Sequence, residues 1–122
     1  MEKKIKCLII DDEIQIRRLL KVSFESQNYA VEEATNGEEA LQKLKESSYD
    51  LVLADWNMPQ MNGIDLLKAV RSEGMSVKFG FITSEGTDDI RSMALENGAS
   101  FLIVKPFTPE ALQDALAPLG LA

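Results

Sequence analysis

The sequence predicts an α/β fold: one doubly wound parallel sheet covered by helices on both faces, a single three-layer (βα)5 domain over residues 1–122. Three observations carry this expectation. Short apolar runs alternate from end to end with segments of helical apolar spacing. The runs are continuous rather than alternating polar with apolar, as strands buried on both faces should be. A chain of 122 residues, 45% hydrophobic and 27% charged, suits one globular domain with a real core.

In chain order, the first buried strand is expected at residues 7–10, followed by a helix with its stripe at Ile16, Leu19, Leu20 and Phe24. Residues 30–34 carry two acids among few apolar residues and are expected at a sheet edge. Asn36-Gly37 starts a helix with Ala40, Leu41 and Leu44 inward, and residues 51–54 form the next buried strand. The third helix presents Leu66, Leu67 and Val70, and the following strand covers residues 79–82. Thr87 caps a fourth helix bearing Ile90, Met93 and Ala94, which Asn97-Gly98 closes. Residues 101–104 make the last strand, and Thr108 before Pro109-Glu110 opens a helix with Leu112, Ala115, Leu116 and Leu119. Crossovers of this length should be right-handed.

Composition removes several function classes. With 13 Lys+Arg against 20 Asp+Glu, the net charge of −7 disfavours nucleic acid and anionic membrane surfaces as partners. The single cysteine, Cys7, excludes an internal disulfide and a Cys-based zinc site, and fits a reducing cytoplasm. Met1-Glu2-Lys3-Lys4 leads into an apolar run too short for a signal peptide or a membrane span. There is no histidine, hence no Ser/His or Cys/His pair and no phosphohistidine on this chain. Chemistry falls to carboxylates, hydroxyls and lysine.

Ligands of an open parallel sheet collect beyond the carboxyl ends of its strands. Those positions hold Asp11 and Asp12, Asp55, Thr83-Ser84, and Lys105-Pro106. Each has an ordinary alternative: Asp11 or Asp12 as a helix cap, Thr83 or Ser84 as a capping hydroxyl, Lys105 as a solvated chain end in a turn. The alternatives must together explain why every buried run ends in a reactive group while the edge strand ends in Thr35-Asn36-Gly37, a plain turn. Three carboxylates within about 5 Å repel unless a cation joins them or one keeps its proton. Oxygen-only ligands favour Mg²⁺, which keeps positions free for phosphate oxygens. Asp55 can then serve as nucleophile toward a phosphoryl group, with Lys105 and Thr83 holding its oxygens. In phosphatases on a similar sheet a second acid stands two residues after the nucleophile; here that place holds Asn57, so the acyl phosphate should persist as a stored signal.

These residues closely resemble the receiver domain of two-component response regulators, of the stand-alone, CheY-like chemotaxis type. The matching stretches are Ile9-Ile10-Asp11-Asp12-Glu13, Ala54-Asp55-Trp56-Asn57-Met58-Pro59-Gln60-Met61-Asn62-Gly63, Ile82-Thr83-Ser84, and Gly98-Ala99-Ser100 through Val104-Lys105-Pro106-Phe107-Thr108. The resemblance implies a flavodoxin-like, CheY-like sheet of order 2-1-3-4-5. It implies phosphorylation on Asp55, a Mg²⁺ site from Asp11 (through water), Asp12, Asp55 and the Asn57 carbonyl, and phosphate sensing by Thr83 and Lys105. Lys105-Pro106 should be cis. The implied donor is a phosphohistidine on a sensor histidine kinase or phosphotransfer protein. Other implied partners are a downstream output protein, such as a flagellar motor switch, and a phosphatase. Neither nucleic acid nor membrane is implied, and the expectation is a signalling receiver in the cytoplasm rather than a turnover enzyme.

One departure bears on the switch. The family commonly has Tyr or Phe three residues before the lysine, whereas this chain has Leu102 there, and Phe101 must face the other side of its strand. Thr83 movement would then pass through Leu102 packing to the fourth and fifth βα units. Phosphorylation adds about −1.5 to −2 charge to drive it. Trp56, beside Asp55, either covers the mouth of the site or shapes access to it. Rival readings are an aspartate-nucleophile phosphatase, disfavoured by Asn57; a flavin mononucleotide carrier, disfavoured by Asp11-Asp12-Glu13 where phosphate would bind; and a degenerate docking receiver, disfavoured by the complete residue set. With no effector segment after the fifth helix, a free-standing regulator and an excised receiver are both open.

Overall fold

A computed structural model describes residues 4–58 and 60–120; the Met1–Lys3 start, Pro59 of the Asp55 stretch, and residues 121–122 lie outside them. The elements run β1 (Ile5–Ile10), α1 (Ile14–Glu25), β2 (Tyr29–Ala34), α2 (Gly37–Glu46), β3 (Leu51–Asp55), α3 (Gly63–Ser72), β4 (Lys78–Thr83), α4 (Asp88–Glu96), β5 (Phe101–Val104) and α5 (Pro109–Leu116), with a 3₁₀ turn at Ala117–Leu119. All pairings are parallel and the strand order is β2-β1-β3-β4-β5. The fold class and the edge position of β2 are as expected.

Strand periodicity divides the interior into two cores. Leu8, Ile10, Val52, Ala54, Phe79, Phe81 and Leu102 point toward α2, α3 and α4, where they meet Ala40, Leu44, Leu66, Leu67, Val70 and Ala94. The alternate residues Cys7, Ile9, Leu51, Leu53, Ile82, Phe101 and Ile103 face α1 and α5, against Leu20, Phe24, Leu112 and Leu116. Phe101 and Leu102 therefore sit on opposite faces. The Phe101 ring lies across Gly80, where an added Cβ would stand 2.0 Å from Phe101 Cζ, so only glycine fits. Burial pushes the Cys7 thiol up, leaving it un-ionised.

Two helix stripes differ from expectation. Leu19 is 53% exposed and Met93 44% exposed. On α1 the buried flank is completed by Arg17, whose side chain is 11% exposed. At about 100° per residue that turns Leu19 away from the sheet. On α4 only Ala94 is buried, which leaves Met93 at the margin. The cap assignments hold: Asn36, Thr87 and Thr108 accept from Glu39, Ile90 and Ala111 N–H, and Gly98 follows α4 at φ +98°. Among the described residues no helix is long and apolar enough to cross a membrane.

Candidate functional site

Backbone hydrogen bonds continue past the strand ends and knit the rim together. Asp11 N–H donates to Ala34 O at 3.3 Å, Trp56 N–H to Ile82 O at 2.9 Å, and Lys105 N–H to Thr83 O at 2.7 Å. Each residue just beyond a buried strand thus stays beside its neighbour. Gly63, at the start of α3, closes the loop after Asp55 through a 2.9 Å bond to Trp56 O. A Cβ there would come within 2.5 Å of the Asp55 carbonyl oxygen, so the close approach requires glycine.

Asp11, Asp12, Glu13 and Asp55 each bring a carboxylate oxygen to one place, all within 4.8 Å of one another. Asp11 is fully buried and Asp55 is 5% exposed, whereas Asp12 and Glu13 lie at the open side. Lys105 Nζ stands 3.5 Å from both Asp11 Oδ2 and Asp55 Oδ2, and 4.0 Å from Glu13 Oε1. One ammonium lies against three of these four carboxylates, so the negative charge of the cluster is not balanced by it. Burial, then the neighbouring Asp11 charge, push Asp55 up to about 6, against the opposing pull of Lys105 and the Asn57 N–H. Asp11 is also raised, chiefly by burial, with the Glu13 N–H and Lys105 opposing.

The ordinary alternatives can be judged individually. Neither Asp11 nor Asp12 is the N-cap of α1; Glu13 holds that position without a side-chain cap, and Asp11 Oδ1 accepts from Glu13 N–H at 2.9 Å. Thr83 is fully buried and does not cap α4; its Oγ1 accepts from Glu85 N–H at 3.1 Å and donates to Glu85 O at 3.4 Å. Lys105 is turned into the carboxylates rather than solvent, and its peptide bond to Pro106 is cis. Asn57 is exposed, its N–H reaching Asp55 Oδ1 at 3.4 Å. Leu102 lies below the rim, buried in the core under α4. Trp56 is half-buried beside Asp55, edge-on to Phe81 with ring centroids 4.9 Å apart.

Asp11 Oδ2 is buried without a hydrogen-bond partner. A buried unsatisfied oxygen in a crowd of like charges is costly, and a hard cation answers both problems. The donor set is oxygen only, so it fits Mg²⁺. Two side chains that sequence reasoning left without a role belong to this neighbourhood. Glu13 joins the cluster, a membership its adjacency to Asp12 signals. Arg17, four residues further along on α1, donates from Nη1 to Asp11 O at 2.7 Å; nothing local in the sequence marks it.

Comparison with known proteins agrees with this arrangement. The response regulator receiver domain family matches residues 7–117. The chain is 42% identical to the transcriptional regulatory protein ResD of Bacillus subtilis over 104 residues, covering 85% of this chain but 43% of that protein. It is 41% identical to the chemotaxis protein CheY1 of Helicobacter pylori over 116 residues, covering 92% of this chain and 94% of the relative. Among solved structures, the chemotaxis response regulator CheY4 of Vibrio cholerae superposes with a TM-score of 0.90 at 33% identity, over 96% of this chain and 99% of that one. Receiver domains of this family generally bind Mg²⁺ at an acidic pocket and interact with histidine kinases or phosphotransfer proteins; they are signalling proteins rather than metabolic enzymes. The phosphatase and flavin-carrier readings are not favoured. The chain belongs to the response regulator receiver domain family of two-component systems and is CheY-like.

Proposed function

We propose that this receiver is a phosphorylation-activated switch that takes a phosphoryl group onto Asp55, in a Mg²⁺-dependent step, from a phosphohistidine of a sensor kinase or phosphotransfer protein. The supporting observation is the buried Asp55 carboxylate, 3.5 Å from Lys105 Nζ, beside Asp11 Oδ2, which is buried and accepts no hydrogen bond. Asp11, Asp12, Asp55 and the Asn57 carbonyl would hold the ion, which when bound neutralises the carboxylates and the oxygens of the incoming group. An Asp55 carboxylate oxygen attacks phosphorus, the P–N bond breaks, and the imidazole leaves with the bonding pair and takes up a proton. Lys105 pairs with the phosphoryl oxygens in place of the Asp55 carboxylate. Thr83 can donate its hydroxyl to them only by leaving Glu85 O, which frees the segment leading into α4. With Asn57 two residues beyond the acceptor and no histidine, the chain lacks a proton shuttle for rapid hydrolysis.

The movement would reach α4, β5 and α5 through Leu102, which packs with Phe81 and Ala94. That side carries a groove of about 330 Å³ lined in part by Arg91, Leu102, Val104, Phe107 and Ala111, suited to an output protein. Likeness to CheY1 and CheY4 supports a cytoplasmic chemotaxis-type output, a flagellar motor switch, with a phosphatase to reset it. Trp56 fluorescence tests the reading. Emission should respond to Mg²⁺ and again to acetyl phosphate or a beryllofluoride mimic, and Asp55→Asn should keep the fold and lose the second response. A full second response in Asp55→Asn would overturn the proposal.

A further inference from the structure

We propose that Arg17 and Glu33 form a clamp that positions the Asp11-Asp12 segment for Mg²⁺, making Arg17 a positioning residue of the site; this rests on the metal reading above. Arg17 lies on the buried flank of α1, with its side chain 11% exposed. Its Nη1 donates to Asp11 O at 2.7 Å, the shortest side-chain contact onto the loop between β1 and α1. Its Nε reaches Glu33 Oε1 at 3.4 Å, and Lys21 Nζ lies 3.9 Å from Glu33 Oε2. One guanidinium therefore ties α1, the edge strand β2 and the end of β1 together.

The contact matters because Asp12 has little else to hold it. It is exposed, and no hydrogen bond to its side chain is found among the described residues. Its place in the cluster depends on the backbone of Asp11 and Glu13. That backbone is fixed by Asp11 N–H on Ala34 O at 3.3 Å, by Glu13 N–H on Asp11 Oδ1 at 2.9 Å, and by the Arg17 side chain on Asp11 O, with Arg17 N–H on Glu13 O at 3.1 Å holding the far end. The first two bonds leave the peptide joining Asp11 to Asp12 free to tilt, and the third binds the carbonyl of that same peptide. A planar, always-charged fork holds a carbonyl and a carboxylate in one fixed geometry, whereas a lysine ammonium on a flexible stem is a point charge that fixes neither direction. The same clamp accounts for one of the two acids on β2: Glu33 serves α1, while Glu32 turns to the other face and pairs with Lys6, Lys43 and Tyr49.

Mg²⁺ titration followed by Trp56 fluorescence separates this role from a merely structural one. Relative to the wild-type chain, Arg17→Met and Glu33→Gln should raise the apparent Mg²⁺ dissociation constant about tenfold, the scale of lost outer support for metal ligands. Phosphorylation by acetyl phosphate at saturating Mg²⁺ should change far less, and Arg17→Lys should recover only part of the affinity. Arg18→Met, on the exposed side of the same helix, should titrate as wild type. If Arg17→Met fails to fold, Glu33→Gln, which leaves the bond to Asp11 O possible but weakens its brace by removing the carboxylate charge, decides the matter. Wild-type affinity in Glu33→Gln and in a folded Arg17→Met overturns the clamp alone. A wild-type chain that gives no Mg²⁺ response removes the metal reading and the clamp together.

Discussion

Replacing Asp55 with asparagine is expected to stabilise the metal-free protein even as it removes the proposed phosphoacceptor. The carboxyl is 5% exposed and its pKa is raised from 3.8 to about 6, mainly by burial and then by the Asp11 charge. Near neutral pH the group is ionised in both folded and unfolded chains, and each unit of that upward shift costs the folded state about 1.4 kcal/mol. Relief of the charge should therefore contribute on the order of 3 kcal/mol, or a rise in Tm of about 10 °C for a domain of this size. Because the folded state binds the proton more tightly, wild-type stability relative to the variant falls as pH rises from 3.8 through about 6. The assay is thermal unfolding followed by far-UV circular dichroism in chelator, at mildly acid and at neutral pH. Added Mg²⁺ should then narrow the gap by stabilising the wild type more than the variant. A variant no more stable than wild type at neutral pH without metal, or a gap that ignores pH, would refute the reasoning.

Gly80→Ala should destabilise the domain by about 1–3 kcal/mol or more, since its Cβ would stand 2.0 Å from Phe101 Cζ; urea unfolding measures it. Thr83→Ala should still accept a phosphoryl group on Asp55 but lose the accompanying change at α4 and β5, seen as unchanged amide exchange there on adding beryllofluoride. Glu32, held below the usual carboxylate range chiefly by the Tyr49 hydroxyl, stabilises the fold above its unfolded pKa and loses that contribution as pH falls through its folded value. Glu32→Gln should accordingly be less stable than wild type near neutral pH, with the difference vanishing in acid unfolding curves.

The sheet was legible because β1, β3, β4 and β5 are buried on both faces, so their residues form continuous apolar runs that only parallel packing between helices explains. Their ends extend one or two residues beyond the runs at Ile5, Lys78, Thr83 and Asp55, because backbone pairing continues where apolarity stops. Leu19 and Met93 misled because a hydrophobic stripe read by spacing ignores which neighbours claim the buried flank; on α1 that claim belongs to Arg17, a charged residue whose partners lie on other elements. Asp11, Asp55, Thr83 and Lys105 were legible as a group, since strand ends in a parallel sheet share one rim. Glu13 and Arg17 were not given roles, the one because it is not itself a strand-end residue, the other because one of its bonds runs to a backbone carbonyl, which no side-chain pattern signals, and the other to Glu33 on a different element.

The central claim is that Asp55 is the residue that stores the phosphoryl group. After incubation with acetyl phosphate and Mg²⁺, borohydride reduces an aspartyl phosphate to the corresponding alcohol, converting the modified aspartate to homoserine, which peptide mass spectrometry locates. Homoserine at position 55, dependent on both Mg²⁺ and the donor, is the predicted result. Conversion at Asp11 or Asp12 instead, or no conversion under conditions where the ion binds, would contradict the account.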